Sequence, residues 1–123
     1  MRVLIVGHSP GKVQQSKSIT RNRVKTWLYA VNIEEYDWIN LVNYHAPSLK
    51  FNEITLTVRD VIGYDKIIAL GNMASVWLDK NNISHLKVPH PSGLNRIWND
   101  PDAEVKTMDS IKKYMETKHI YRV

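Results

Sequence analysis

The 123-residue sequence contains no cysteine. This absence excludes disulfides, thiolate nucleophiles and iron–sulfur clusters, and it removes the usual thiolate ligands of structural zinc. The five histidines of the chain show no paired ligand spacing. We therefore expect no metal site and no cofactor.

Long hydrophobic runs are also missing. No apolar segment approaches the roughly 20 residues needed to cross a bilayer, so we expect no membrane partner. The apolar segment 3–6 ends at Gly7 and His8. A segment of this length is too short for a signal peptide. Together with the lack of cysteine, these features favour a cytoplasmic protein, or one of the host cytoplasm if its source is a virus. We further expect a monomer.

The composition is that of a folded domain with a basic balance. Hydrophobic residues make up 43% of the chain, which is enough for a packed core, and the length fits a single domain over residues 1–123. The formal net charge is +5, from 17 basic and 12 acidic residues. A basic balance favours a polyanionic partner such as nucleic acid, although many basic proteins bind none.

Short apolar runs alternate with apolar residues at helical spacing. Strands are predicted at 3–6, 38–43, 66–70 and 86–88. Helices are predicted between and after them, from four apolar stripes: Val24, Trp27, Leu28 and Val31; Ile54, Val58, Val61 and Ile62; Ala74, Trp77 and Leu78; Val105, Met108, Ile111 and Met115. Such alternation predicts an α/β fold with a parallel sheet joined by right-handed crossovers.

Residues at the predicted helix ends fit this assignment. Ser18 or Thr20 is a candidate N-cap of the first helix, and Asn72 is one for the third. Gly63 is suited to close the second helix. Asp100 is expected to cap the last helix, with Pro101 at its first position.

The unusual residues of the chain follow the predicted strands rather than precede them. The first strand runs into Gly7-His8-Ser9-Pro10-Gly11, the second carries Asn40, the third runs into Gly71-Asn72, and the fourth runs into a loop that begins at His90. In open parallel sheets, ligands bind beyond the carboxyl ends of the strands. The sequence therefore predicts a site at that edge, where Gly7, Asn40, Gly71 and His90 converge.

The first of these turns superficially resembles a phosphate-binding P-loop. The segment from Gly7 to Lys12 is one residue shorter than the corresponding segment of a P-loop. Val13 also occupies the position at which a P-loop has the Ser or Thr that binds magnesium. A nucleotide-hydrolysing P-loop is therefore disfavoured. A strand followed by two glycines and a proline still allows backbone amides to approach a ligand closely.

The loop His90-Pro91-Ser92-Gly93-Leu94-Asn95-Arg96 is the more specific motif. Ser92 and Gly93 permit a tight turn, and Leu94 is an apolar residue among polar neighbours. One interpretation is a surface loop with a single exposed leucine, which is common. The other is a wedge that enters a DNA base stack, with Arg96 beside it for phosphate.

These motifs, in their order along the chain, resemble those of the uracil-DNA glycosylase superfamily. The loop from His90 to Arg96 is similar to the second signature motif of the family, closest to the mismatch-specific branch. The turn from Gly7 to Gly11 is similar to the first signature. The segment Asn40-Leu41-Val42-Asn43-Tyr44-His45-Ala46-Pro47 resembles the middle strand of the iron–sulfur branch, and Ala69-Leu70-Gly71-Asn72 resembles the turn after the third strand. The resemblance covers nearly the whole chain.

The resemblance implies a three-layer α/β/α sandwich with a central four-stranded parallel sheet, and a protein that flips and excises uracil or another altered base from single- or double-stranded DNA. It implies catalytic roles for His90, Ser9 and His8. It assigns base binding to Asn40, Gly7, Pro10 and Gly11, and DNA binding to Ser92, Gly93, Leu94, Asn95, Arg96 and Lys12.

The chain also departs from the family pattern. Several branches have Asp or Asn at the position of Ser9 to orient the hydrolytic water, and another has Glu at the position of His8. The stretch 13–22 contains no aromatic residue to stack on the base. The chain is about half the usual length.

Three functions therefore stay open on the sequence: an active glycosylase; a family member that binds DNA or a nucleobase without hydrolysis; and an enzyme on free nucleosides or nucleotides, or an inhibitor-like interaction protein.

Overall fold

The computed structural model describes residues 1–12 and 17–117. Four strands form one sheet: β1 (Val3–Gly7), β2 (Asp37–Asn40), β3 (Lys66–Leu70) and β4 (Leu86–Val88). Their order is β2-β1-β3-β4, and every neighbouring pair is parallel. The predicted α/β fold and its parallel sheet are confirmed. Val13 and the rest of segment 13–16 lie outside the described residues.

In the described part of the chain, four α-helices accompany the sheet: α1 (Ile19–Ala30), α2 (Val58–Val61), α3 (Asn72–Lys80) and α4 (Ala103–Glu116). The connections include the short 3₁₀ turns Phe51–Glu53 and Arg96–Asn99. Of the two candidate caps for α1, the structure uses Ser18, whose hydroxyl oxygen accepts the Arg21 amide at 3.2 Å. None of the helices in the described part of the chain is both long and apolar enough to span a bilayer.

The sheet packs against a hydrophobic core on each face. Successive residues along the central strands β1 and β3 point alternately into one core and the other. One core joins Leu4, Val6, Ile67 and Ala69 to helices α2 and α3. The other joins Val3, Ile5, Ile68 and Leu70 to helices α1 and α4. Helices thus cover both faces of the sheet, as the continuous apolar strand runs indicate.

The strand order opens a crevice next to β1. The chain leaves β1 for β2 on one side and then crosses to β3 on the other side. The connections after β1 and β3 therefore diverge, which opens a crevice at the carboxyl ends of these two strands. Gly7 is paired in register with Asn40, so the two residues end their strands side by side at that crevice.

The second strand is shorter than predicted. It ends at Asn40 rather than at residue 43. The Leu41 amide still donates to the Gly7 carbonyl, but the Leu41 carbonyl accepts the amides of Thr55 and Leu56 from a later segment. Leu41 and Val42 are nevertheless fully buried. Their apolar character comes from core packing in a loop, which a pattern-based assignment cannot distinguish from a strand.

The second predicted helix is also mostly absent. Only Val58–Val61 are helical, Ile54 packs on the core from outside the helix, and Ile62 is 61% exposed. Gly63 follows with φ +92, so its expected left-handed conformation is present one residue beyond the predicted helix end.

Two other helix starts differ from prediction. Asn72 is the first helical residue of α3 and Gly71, with φ +91, is its cap. The last helix begins at Ala103, because Asp100 and Pro101 belong to a preceding turn in which the Asp100 carboxylate accepts the Asp102 amide at 2.9 Å. The prediction that Val105 lies on the inner face of this helix is wrong, because the residue is 61% exposed.

Candidate functional site

A cavity of about 490 Å³ opens at the carboxyl edge of the sheet. This volume lies in the ordinary range for small-molecule sites. Its walls come from the loops after β1, β2 and β4 and from the start of α1. The lining residues are Gly7, His8, Ser9, Pro10, Gly11, Ser18, Thr20, Arg21, Trp38, Asn40, His45, Pro47, Leu70, His90, Ser92 and Leu94. The predicted convergence of Gly7, Asn40 and His90 is therefore present.

Gly7 is required by close packing at the floor of the cavity. A Cβ on Gly7 would overlap Asn40 Oδ1 and lie 2.9 Å from Trp38 Nε1. Any larger residue would push both side chains out of place. Gly11 differs, because a Cβ there would meet no heavy atom within 4 Å. Pro10 contributes its carbonyl, which accepts a hydrogen bond from His45 Nδ1 at 3.0 Å.

The orientation of the Asn40 amide is fixed. Trp38 Nε1 donates to Asn40 Oδ1 at 3.0 Å, and an indole nitrogen can only donate, so the oxygen of the amide must face Trp38. Asn40 Nδ2 has no hydrogen-bond partner among the described residues. Every fully buried side-chain polar atom in that part of the chain does have a partner, so Nδ2 is not fully buried. The Nδ2 donors are therefore exposed in the cavity that Asn40 lines.

The tautomer of the neutral His90 ring is fixed in a similar way. The Ser92 amide donates to His90 Nδ1 at 3.1 Å, so Nδ1 carries no proton and the neutral ring is protonated on Nε2. The other side of the ring packs against Gly71, where a Cβ would lie 3.2 Å from His90 Cβ and Cδ2. Gly71 thus lies beside His90, as predicted, and its role is to leave room for the ring.

Burial keeps His90 neutral. Its pKa is lowered from the ordinary value near 6.5, mainly because burial disfavours the charged ring and secondarily because of the neighbouring His8. The two rings meet edge to face with centroids 6.3 Å apart. At neutral pH, His90 is an uncharged donor rather than a cation.

His8 and Ser9 connect the loops after β1 and β2. His8 Nε2 donates to the Ala46 carbonyl at 2.9 Å, so its Nδ1 is the lone-pair nitrogen of the neutral ring. The Ser9 hydroxyl donates to the same carbonyl at 3.3 Å and accepts the Ala46 amide at 3.2 Å. These bonds hold the two loops together at the cavity wall.

The His90 loop is held from behind by Asn95 and Trp98. Asn95 Nδ2 and Trp98 Nε1 each donate to the His90 carbonyl at 3.0 Å. Asn95 Oδ1 also accepts the Ile97 amide at 3.2 Å. The Asn95 side chain, expected from the resemblance to bind DNA, is therefore engaged inside its own loop and positions His90.

The remaining predicted DNA contacts lie at the surface. Leu94 is 94% exposed at the rim of the cavity, and its amide donates to the Ser92 hydroxyl at 3.2 Å. Gly93, Arg96 and Lys12 are exposed as well. Gly93 lies beside Ile19, which is 65% exposed and adds a second apolar side chain next to Leu94.

Trp38 is a site residue that the motif analysis missed. Trp38 lines the cavity from β2, and the Arg21 guanidinium lies over its ring at 4.5 Å from the centroid. The signal was present in the sequence, because Trp38 and Asn40 alternate on a strand and therefore share a face.

The polar side chains of the cavity wall are hydroxyl, amide, indole and imidazole groups, together with the Arg21 guanidinium. The lining residues include no carboxylate. Across the described residues, no group of three or more His, Asp or Glu side chains is placed to hold a metal ion.

No family model, curated protein or solved structure matches the chain.

Proposed function

We propose that this chain is a member of the uracil-DNA glycosylase superfamily that holds a flipped uracil, or another altered base, in the cavity and cleaves its N-glycosidic bond. The observation that carries the proposal is that Asn40, at the end of β2, and His90, in the loop after β4, line one cavity, and that hydrogen bonds elsewhere leave each with a donor nitrogen that has no partner among the described residues. The resemblance of the motifs supports the same function.

Asn40 supplies base selection in this proposal. A uracil carbonyl accepts from the Asn40 Nδ2 donors, whereas cytosine has an amino donor at the same place and leaves both groups unpaired. Such an unpaired donor costs about 1–3 kcal/mol when buried. Asn40→Asp removes the donors but still accepts from Trp38 Nε1, so it is expected to shift preference toward cytosine without unfolding the strand.

His90 stabilises the leaving group. As the bond between the sugar C1′ and the base nitrogen breaks, its electron pair moves onto the base, and His90 Nε2–H donates to the base oxygen on which the charge develops. A preorganised neutral donor aimed at growing charge lowers the barrier without a full proton transfer. Ser92, Asn95 and Trp98 hold the His90 loop in the required orientation.

The water that completes the reaction needs an acceptor. His8 is suited to this role, because its Nε2–H is held by the Ala46 carbonyl and its Nδ1 lone pair is the ring's remaining site. In the proposed step the water oxygen bonds to C1′, and its proton passes to Nδ1. The proton held on His8 Nδ1 then passes through solvent to the anionic base, which restores neutral His8, so the products are a free base and an abasic sugar.

The direct experiment is incubation with single- and double-stranded DNA that contains one uracil, followed by alkaline cleavage of abasic sites. Strand cleavage that depends on both uracil and His90 supports the proposal. Absence of cleavage in both substrates, at stoichiometric enzyme, contradicts hydrolysis.

A second candidate is a family member that binds DNA or a base without hydrolysis. Two observations favour it: the cavity wall lacks a carboxylate, and the Ser9 hydroxyl is engaged on both sides by Ala46. A missing positioned acid–base group costs a factor of about 10² to 10⁴ in rate. Ser9→Asp discriminates between the candidates, because only the binding protein goes from no base release to measurable release.

A further inference from the structure

Trp38 and Asn40 form a linked pair on β2. Both side chains lie on the same face of the strand, and the indole Nε1–H donates to Asn40 Oδ1 at 3.0 Å. The indole is half-buried and packs on the core that contains α1 and α4. The Arg21 guanidinium lies over it at 4.5 Å from the ring centroid. The ring is therefore held from the core and by a cation from α1.

The indole bond determines what the cavity offers to a base. An amide presents either its oxygen or its nitrogen, and the two orientations are nearly equivalent in shape. With a donor-only partner at its oxygen, the amide is fixed with its nitrogen outward. Among the residues that the structure describes, Trp38 alone makes a side-chain hydrogen bond to the Asn40 amide.

We propose that Trp38 is a specificity-determining residue, which makes the cavity select bases with a carbonyl over bases with an amino group by fixing the orientation of Asn40. This inference rests on the proposed function, since it concerns the base that the cavity accepts. Trp38 does not need to touch the reacting atoms. It acts through Asn40 and is a positioning residue.

The informative variant is Trp38→Phe. Phenylalanine keeps an aromatic ring for the core and for the Arg21 guanidinium, but it removes the N–H. The Asn40 amide is then free to turn its oxygen outward and accept the amino group of cytosine. One mispaired buried group changes a rate or binding constant by about tenfold or more. The ratio of the uracil release rate to the cytosine release rate is therefore expected to fall about 10-fold or more.

Trp98→Phe is the matched control. It also removes an indole hydrogen bond of 3.0 Å, but this bond goes to the His90 carbonyl rather than to Asn40. Loss of that bond loosens the His90 loop, which slows release of any base. The control is expected to lower both rates together and to leave their ratio unchanged.

The experiment is single-turnover base release from DNA duplexes with one uracil or with cytosine at the same place, for wild type and the two variants. A ratio that falls in Trp38→Phe and stays constant in Trp98→Phe supports the inference. An unchanged ratio in folded Trp38→Phe overturns it while the proposed function stands. If wild type releases uracil from no substrate and binds no free uracil, the proposed function and the inference both fail.

A measurement on the wild-type protein tests the inference even if the Trp38→Phe protein does not fold. In ¹⁵N NMR spectra, the Trp38 indole N–H should exchange slowly with solvent, and free uracil should shift the Asn40 amide signals more than free cytosine does. Fast exchange of this indole proton, or equal shifts with both bases, contradicts the inference.

Discussion

His90→Ala tests the chemistry of the site most directly. The substitution removes the Nε2–H donor but keeps the backbone carbonyl that binds Asn95 and Trp98, so the rear of the loop should stay in place. It also removes the Nδ1 acceptor of the Ser92 amide. Loss of one preorganised donor to a developing anion costs about 2.7–4 kcal/mol, so base release should slow by about 10² to 10³.

The same residue predicts a pH dependence with a defined sign. Because the folded-state pKa of His90 is lowered from 6.5, the unfolded chain binds a proton more readily than the folded one does. The stability associated with a neutral His90 is therefore present above pH 6.5 and is lost as the pH falls toward the lowered pKa. Protonation of Nδ1 also breaks the bond from the Ser92 amide, so base release should decline over the same range.

The assay combines denaturant unfolding and single-turnover release between pH 5 and 8, for wild type and His90→Ala. The wild type should lose stability toward acid more steeply than the variant. Two results would refute the reasoning: a His90 that titrates above 6.5 by NMR, or a variant that retains the wild-type rate at pH 7 in a folded state.

Three further predictions follow from the loop and the rim. Leu94→Ala should slow action on duplex DNA by about 10-fold and on single strands far less, because only a duplex has a stack to refill; equal losses on both substrates would exclude a wedge. Binding to DNA should weaken steeply with salt, and Lys12→Ala or Arg96→Ala should each reduce the slope by about 1, as measured by fluorescence anisotropy; salt-independent binding would contradict a phosphate interface. Gly71→Ala should destabilise the fold by about 1–3 kcal/mol in denaturant titrations, because φ +91 is strained for alanine and its Cβ would press on His90; an unaffected midpoint would show that the loop adapts.

The centre of the sheet could be predicted from the sequence because its two central strands, β1 and β3, are largely continuous apolar runs. Val3–Gly7 and Lys66–Leu70 are buried at every position. A short, mostly apolar run is the sequence pattern expected of a strand that is buried on both faces. The same signal failed at Leu41 and Val42, which are apolar because they fill the core from a loop. Short helices were harder still, since four residues do not complete a periodic pattern.

The site could be predicted only in part. Glycine and histidine at strand ends indicated where the cavity lies, because the topology of a parallel sheet gathers those ends. The sequence could not indicate that Asn95 turns inward, nor that Arg23 does so. Arg23 pairs with Glu104 at 3.0 Å and donates to the Pro91 carbonyl at 3.1 Å. Such pairings depend on three-dimensional neighbours that are distant in sequence.

The exposed Leu94 side chain has a practical consequence. It stands at the rim of the cavity, almost entirely in solvent, in a chain that contains no cysteine. A Leu94→Cys protein would therefore carry a single thiol, and an environment-sensitive dye attached there would be the only label on the molecule. Such a labelled protein would report the approach of a DNA strand to the cavity in real time, independently of whether any bond is cleaved.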